Sequence, residues 1–351
     1  MSRRLYTWFA RLAVLLVALP AALLALAYRA EPLGSWWLEL LQYVPYPAFL
    51  GPALLALLLS WPLGWAWRLA AAGALLLVVT VIMGLALGRA DSGTVPLRLM
   101  TYNIKAYRAD TEPLIADALM REIEQRQPDL LVMQDAWALS DGKHRTANDL
   151  TPVAESLFAG RHVYAHDQYV VVSRHPLRDC RTGDLSFRGQ AHRYVRCIVL
   201  VDGTEVDLVT AHLLSPRMGL NATRREGADG IADWQRNFDD RLTQSRKLAA
   251  DLGASPRQRP LIVAGDLNAP ETSPVIRTLL AQGLRDAFAS AGRGYGYTLG
   301  HSLRLGISFL RIDHILVSPE IGVVDAFAGG KEGSEHRPVI ADLLLERGDP
   351  R

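Results

Sequence analysis

The chain has 351 residues, half of them hydrophobic, with 38 basic and 36 acidic side chains. Residues 1–90 hold six of the basic and two of the acidic ones, a net of +4, leaving 32 basic and 34 acidic residues, a net of −2, for 91–351. That split excludes the basic footprint with which duplex-DNA binders neutralise phosphate, and the two cysteines, Cys180 and Cys197, are too few for a stapled scaffold or a zinc site.

The first element is an uncharged run of 17 residues, Leu12 to Tyr28, preceded by Arg3, Arg4 and Arg11. Uncharged runs of 28 residues from Leu40 to Trp67 and of 20 from Leu69 to Gly88 follow. A membrane-spanning helix needs roughly 20 mainly apolar residues, so three transmembrane helices are predicted over about 11–28, 45–65 and 69–88. Six of the eight tryptophans lie here, near the ends of the runs, as an interfacial belt requires. Ala25-Leu26-Ala27 could end a signal peptide; the two later runs would still cross a bilayer. The arginine bias puts the N-terminus in the cytoplasm, and an odd number of spans then carries the rest of the chain to the periplasmic or extracellular side.

Beyond a polar linker, 91–96, short apolar runs alternate with helical spacing. Strands are predicted at 97–102, 130–133, 169–173, 194–201, 206–211, 261–264 and 312–317, and helices at 113–126, 240–252 and 273–282. Interspersed strands and helices indicate an α/β sandwich. Cys180 and Cys197 could bridge neighbouring strands in an oxidising compartment; the plainer reading is two small buried residues.

The strand ends carry the information. Asn103 closes the first strand and Gln134-Asp135 the second, His212 follows a third, Asp266-Leu-Asn268 a fourth, Asp313-His314 lies within a fifth, and Ser334-Glu335-His336 precedes the last. Singly, Asn103, Asp266 and Asn268 read as turn residues, Asp135 and Glu335 as solvated acids, and His212 as a half-buried histidine. Six apolar strands that each deliver a polar group to one end describe instead a cleft of carboxylates, amides and imidazoles.

The ordered set T-Y-N, Q-D, H-L, G-D-L-N, I-D-H and S-E-H-R-P resembles the endonuclease/exonuclease/phosphatase superfamily over about residues 95–345. The layout is similar to its membrane-anchored bacterial branch of the teicoplanin-resistance type. The resemblance implies a DNase I-like domain over 97–347, a four-layer α/β sandwich of two mixed β-sheets, preceded by the membrane region of residues 1–90. It also implies a phosphoesterase that uses Mg²⁺ or Mn²⁺, with Asp135, Glu335 and Asn103 at the metal. In the same reading Asp266 orients or deprotonates water and Asn268 holds a phosphoryl oxygen. His336, paired with Asp313, contacts the phosphate or acts as base, and His212 donates to the developing charge. His314 points to the other strand face and is structural. Two departures stand out: the family has Gln-Glu where this chain has Gln134-Asp135, and Ser-Asp-His where it has Ser334-Glu335-His336. One acid is a methylene shorter and the other a methylene longer, which could compensate or favour a larger ion.

The expected partners are a lipid bilayer and a phosphorylated substrate, lipid-linked in the favoured reading. The insertion at 213–240 supplies Arg217, Arg224, Arg225 and Trp234, followed by Arg241. Arg217 and Arg241 suit phosphate, and Trp234 suits a headgroup interface. Nucleic acid, cut by a surface nuclease, is the less favoured substrate, and a tethered binding domain with a degenerate site is the non-enzymatic reading.

Overall fold

A computed structural model describes residues 3–30, 35–93, 95–107, 113–139, 149–254 and 257–345. It divides into two compact units, Met1–Ala86 and Leu87–Arg351. Thr94 of the expected linker and residues 346–347 at the expected domain end lie outside the described residues.

The first unit contains α1 (Arg3–Arg29), α2 (Trp36–Gln42), α3 (Pro47–Ser60) and α4 (Trp65–Leu77), which runs on into a π-helical turn, Val78–Ile82. Its burial pattern inverts that of a water-soluble bundle. Alanines 10, 21, 25, 53, 56, 71 and 74 are buried, whereas Leu16, Leu23, Leu58, Trp61 and Trp65 are exposed. Small residues inside and bulky apolar ones outside suit helices that pack in lipid, where leucine gains nothing by leaving the hydrocarbon. Among the described residues, Arg3–Arg29 and Trp65–Ile82 are long and apolar enough to cross a membrane. The second expected span, 45–65, holds only the 14-residue α3, which meets α2 at 76°; counting that bent pair as one span gives three. Pro45 and Pro47, which resist continued helix, flank this bend.

In the second unit β1 (Val95–Asn103) is followed by α5 (Pro113–Arg126), β2 (Leu130–Gln134), α6 (Thr151–Leu157), β3 (His162–His166), β4 (Tyr169–Ser173) and β5 (Leu177–Asp184). Next come β6 (Arg193–Val201), β7 (Thr204–Thr210), α7 (Arg217–Glu226), α8 (Ala228–Gly253), β8 (Leu261–Asp266) and α9 (Pro274–Leu280). The chain then forms β9 (Arg285–Asp286), α10 (Ala287–Ala291), β10 (Asp313–Val317), β11 (Ile321–Ala328) and β12 (Val339–Leu345). One six-stranded sheet has the order β11-β12-β1-β2-β4-β3 and the other β9-β10-β8-β7-β6-β5. Each has a single parallel pair near its centre, β1 with β2 and β7 with β8, and antiparallel strands elsewhere. The expected pair of mixed sheets is therefore present.

The central strands are apolar on both faces, and β2, β4 and β8 are buried at every residue. Leu119 and Ile123 of α5 and Val153 and Ala154 of α6 pack with Met100, Tyr102, Leu131 and Met133 of the first sheet. On the second sheet α8 is held by Gln244, which donates to the Leu185 carbonyl (3.3 Å), and by Ser245, which donates to that of Val275 (2.6 Å). Between the sheets, buried Gln134 donates to Thr101 Oγ1 (3.1 Å) on its own sheet and to Thr210 Oγ1 (3.0 Å) on the other.

Three outcomes resolve or revise the expectations. Cys180 and Cys197 form a disulfide between β5 and β6, with Cα atoms 4.1 Å apart: the bridged reading holds, and the plainer one of two unbridged cysteines does not. The helix expected at 240–252 is the C-terminal half of a 26-residue helix, α8, so the insertion is mostly helical. Asp91 of the expected linker is stitched to β11: its N–H donates to the Val323 carbonyl (2.8 Å), and its carboxylate accepts from Val323 N–H (3.1 Å).

Candidate active site

Strand register brings the first pair of acids together. In the antiparallel ladder of β8 and β10, Asp266 stands opposite Asp313, and both are essentially buried. Gly265 permits this end of β8 to meet the end of β7, because a Cβ there would fall 2.0 Å from the Ala211 carbonyl oxygen. His336 closes over the pair, with Nδ1 2.9 Å from Asp313 Oδ2 and Nε2 3.8 Å from Asp266 Oδ2. Ser334 fixes that loop by donating to the Asn103 carbonyl (2.7 Å) and accepting the His336 N–H (3.2 Å).

The ends of β1 and β2 add the next groups. Asn103 Nδ2 donates to Asp266 Oδ2 (2.8 Å), and the Asn103 amide also supports Asp135. His212 stands between the two acids, with Nε2 3.5 Å from Asp266 Oδ2 and Nδ1 3.6 Å from Asp135 Oδ1. Its Nδ1 also lies 2.5 Å from Gln168 Oε1, which fixes the ring's orientation. The Asn268 N–H donates to Asp266 Oδ1 (3.0 Å), and Asn268 Nδ2 donates to the Leu213 carbonyl (2.8 Å).

The remaining acids already carry cations. Asp135 is hydrogen-bonded to the Lys105 ammonium, and Glu335 Oε2 accepts from Arg217 Nη2 at 2.8 Å. Lys105, Asp135 and Asn268 all have left-handed backbones, with φ of 45°, 52° and 50°. Such non-glycine positions cost on the order of 1–3 kcal/mol each and persist where surrounding bonds over-determine them. Past Lys105 and Asp135, Tyr107 and Trp137 stack on each other at 6.1 Å and 13° and are exposed.

Electrostatics sets the titrations. Burial, together with Asp313, raises the Asp266 pKa above the carboxylate norm, against the opposing pull of His336, His212 and Lys105. Burial alone would lower that of His336; Asp313, by charge and hydrogen bond, and Asp266 outweigh it and raise it. Burial also works against ionised Asp135, yet His212 and Lys105 more than offset it and hold the pKa below its usual range.

Among the described residues, one group of three or more carboxylates and imidazoles has its ligand atoms within 4.8 Å of one another: Asp266, Asp313 and His336. Asp135 and Glu335 stand outside that group, each on its own cation. The oxygen donors of Asn103, Asp135, Asp266 and Glu335 suit a hard divalent ion of the magnesium kind.

The remaining expectations divide. His314 is structural, as expected: buried, with Nδ1 2.8 Å from Asp286 and Nε2 2.9 Å from the Ala269 carbonyl. Arg241 and Trp234 are corrected. Both are wholly buried, and the Arg241 guanidinium lies 5.2 Å above the Trp234 ring. Arg241 Nη1 donates to the Asn268 carbonyl (2.7 Å), so it holds that loop from behind and has no exposed surface for a substrate. The amphipathic period of α8 turns both residues inward. Arg217 is exposed. Sequence reasoning missed Lys105, Gln168, Tyr107 and Trp137; the signal available was their spacing, two to four residues from Asn103 and Asp135 or one from Tyr169.

The sequence model of the endonuclease/exonuclease/phosphatase family matches residues 100–336, more than half of the chain. Among solved structures, a family protein from Leptotrichia buccalis C-1013-b aligns with a TM-score of 0.52 and 18% identity over 71% of this chain and 100% of its own. One from Beutenbergia cavernae DSM 12333 gives 0.51 and 20% over 72% of each chain. D. rerio TDP2 complexed with a single-strand DNA product gives 0.54 and 15% over 72% of this chain and 100% of its own. These likenesses establish the fold. A search of curated protein sequences gives no match.

Proposed function

The chain belongs to the endonuclease/exonuclease/phosphatase family, and from that premise we propose that it is a membrane-anchored phosphoesterase acting outside the cytoplasm on a lipid-linked or other envelope phosphate. The carrying observation is the convergence of Asp266, Asp313 and His336, with Asn103 and His212 in contact, at facing ends of two sheets. A Mg²⁺ or Mn²⁺ ion held by Asp135, Glu335 and Asn103 would neutralise the phosphoryl group when bound.

The protein side chains supply the proton chemistry. Asp266, made more basic by burial and by Asp313, accepts the proton of the attacking water. His336, whose charge Asp313 and Asp266 favour, is the proton-bearing partner and donates to a phosphoryl oxygen. Asp313 fixes its Nδ1–H and therefore its orientation. His212 donates to the developing charge, Asn268 holds a phosphoryl oxygen, and Arg217 meets the incoming phosphate.

Location is argued separately. The apolar helices of the first unit support attachment, and the arginine bias, with the bent pair α2–α3 counted as a third span, supports an outside domain. The Cys180–Cys197 disulfide supports the same side, since such bonds persist in oxidising compartments.

A second reading, an extracytoplasmic nuclease, is favoured by the exposed Tyr107–Trp137 pair, which offers a stacking face for a base beside the cleft. One screen separates the two. Full-length protein in detergent is assayed with Mg²⁺ or Mn²⁺ against polyprenyl pyrophosphates, phospholipids and single-stranded DNA. The envelope reading requires turnover of a lipid phosphate well above that of DNA; the reverse order establishes the nuclease, and no turnover of any phosphoester sinks both.

A further inference from the structure

The acid that the proposed function gives to the metal is occupied by a side chain of the protein itself. Lys105 and Asp135 are hydrogen-bonded, and their side chains are only 13% and 15% exposed, so the pair is largely shielded from water. The fold enforces the meeting. β1 and β2 are parallel with Asn103 opposite Gln134, so Lys105 and Asp135 lie two and one residues past paired strand ends. The two turns are tied by Ile104 N–H to the Gln134 carbonyl and Ala106 N–H to the Asp135 carbonyl, both 3.0 Å. Both residues are held left-handed, at a conformational cost. The ammonium is therefore presented to one carboxylate and is not a floating surface lysine.

A divalent ion and an ammonium compete for that carboxylate. Asp135 offers Oδ2 to Lys105, while its Oδ1 faces His212 Nδ1 at 3.6 Å. An ion on Oδ2 would stand within like-charge distance of Nζ, and in so enclosed a place the repulsion is poorly screened. The aspartate here in place of glutamate leaves the carboxylate one methylene nearer its own backbone, where the turn brings Lys105. Once displaced, the ammonium needs another anion. It already feels Asp266 and is repelled by Arg217, so it remains at the cleft, where a phosphoryl oxygen is the anion that arrives from outside.

We propose that Lys105 is a resident counter-cation: it occupies Asp135 in the metal-free protein and moves to the substrate phosphate when a divalent ion takes that carboxylate. Metal and phosphate then bind cooperatively, each reducing the penalty the other pays, and the coupling is reciprocal. This rests on Asp135 as a metal ligand. Two inorganic ions suffice to test it, and no turnover is needed.

Mg²⁺ is titrated calorimetrically into full-length protein in detergent micelles, with and without inorganic phosphate. For the wild type, phosphate tightens Mg²⁺ binding about fivefold to tenfold. Lys105→Met binds Mg²⁺ about tenfold more tightly than wild type without phosphate and loses most of the coupling; Lys105→Arg, which keeps a cation, behaves as wild type. Asp135→Asn separates the two levels of the claim. If it leaves Mg²⁺ affinity unchanged, the ligand assignment fails and the exchange with it. If it weakens Mg²⁺ while Lys105→Met binds no tighter than wild type, the exchange alone is overturned. Should Lys105→Met not fold, the wild-type titration decides: equal Mg²⁺ affinity with and without phosphate overturns the exchange.

Discussion

The two halves of the cleft are built by different means. Asp266 and Asp313 sit opposite each other in a ladder of paired strands, and His336 is hydrogen-bonded onto them, so that half is complete before any ligand arrives. Asp135 and Lys105 stand on left-handed turns beyond β1 and β2, and Glu335 is held by an exposed arginine, Arg217, whose bond can open. Sheet register suits proton transfer, where a small misplacement is expensive. Turns and ion pairs suit ions and substrates that must enter and leave.

The largest expected effect falls on the rigid half. Asp266→Asn keeps the shape and removes the proposed proton acceptor, and should lower kcat about 10³-fold on a generic phosphodiester, on the order of 4 kcal/mol of barrier. Turnover within threefold of wild type would assign the base elsewhere. Next comes the support beneath that half. Asp286 is buried beside Arg311 (2.7 Å) and His314 (2.8 Å). Although burial opposes its charge, those partners hold its pKa well below the carboxylate range. A depressed carboxylate contributes stability that is present above its ordinary pKa of about 4 and lost as pH falls through the depressed folded value. Asp286→Asn should therefore destabilise the fold by about 3 kcal/mol at neutral pH, and by less in acid, as read from denaturant midpoints. A loss that does not change with pH would contradict the sign.

Smaller effects belong to the adjustable half. Lys105→Met should shift Mg²⁺ affinity about tenfold, as set out above. Arg217→Ala opens a bridge whose arginine is 57% exposed, and should raise KM a few-fold with kcat nearly unchanged. A fall in kcat without a change in KM would place Arg217 with the transition-state groups and erase the contrast between the halves.

How much could be read in advance follows the same division. Strands buried on both faces announce themselves as apolar runs, and α5 was bounded to the residue, 113–126. The edge strand β5, Leu-Arg-Asp-Cys-Arg-Thr-Gly-Asp, did not, because an edge exposed to water is blunted with charge. For the same reason the sequence leaves the Cys180–Cys197 bridge as one of two readings: the cysteines meet through the pairing of that hidden strand with β6. Helical spacing is legible only over 240–252, whereas α8 extends back to Ala228 and so turns Arg241 and Trp234, which as isolated residue types suit a phosphate and a headgroup interface, into the interior.

The sequence alone determined the chemistry at the strand ends and the apolar character of the first unit, since both follow from residue type and short-range period. The tertiary structure alone decided which acids the lysine and arginine of the cleft meet. The pairing of Asp313 with His336 is implied by the resemblance, but that Arg217 takes Glu335 and that Lys105 takes Asp135 depends on contacts between segments distant in the chain and on turns with positive φ. Coulomb energy depends on separation and burial, which a linear order of residues does not contain.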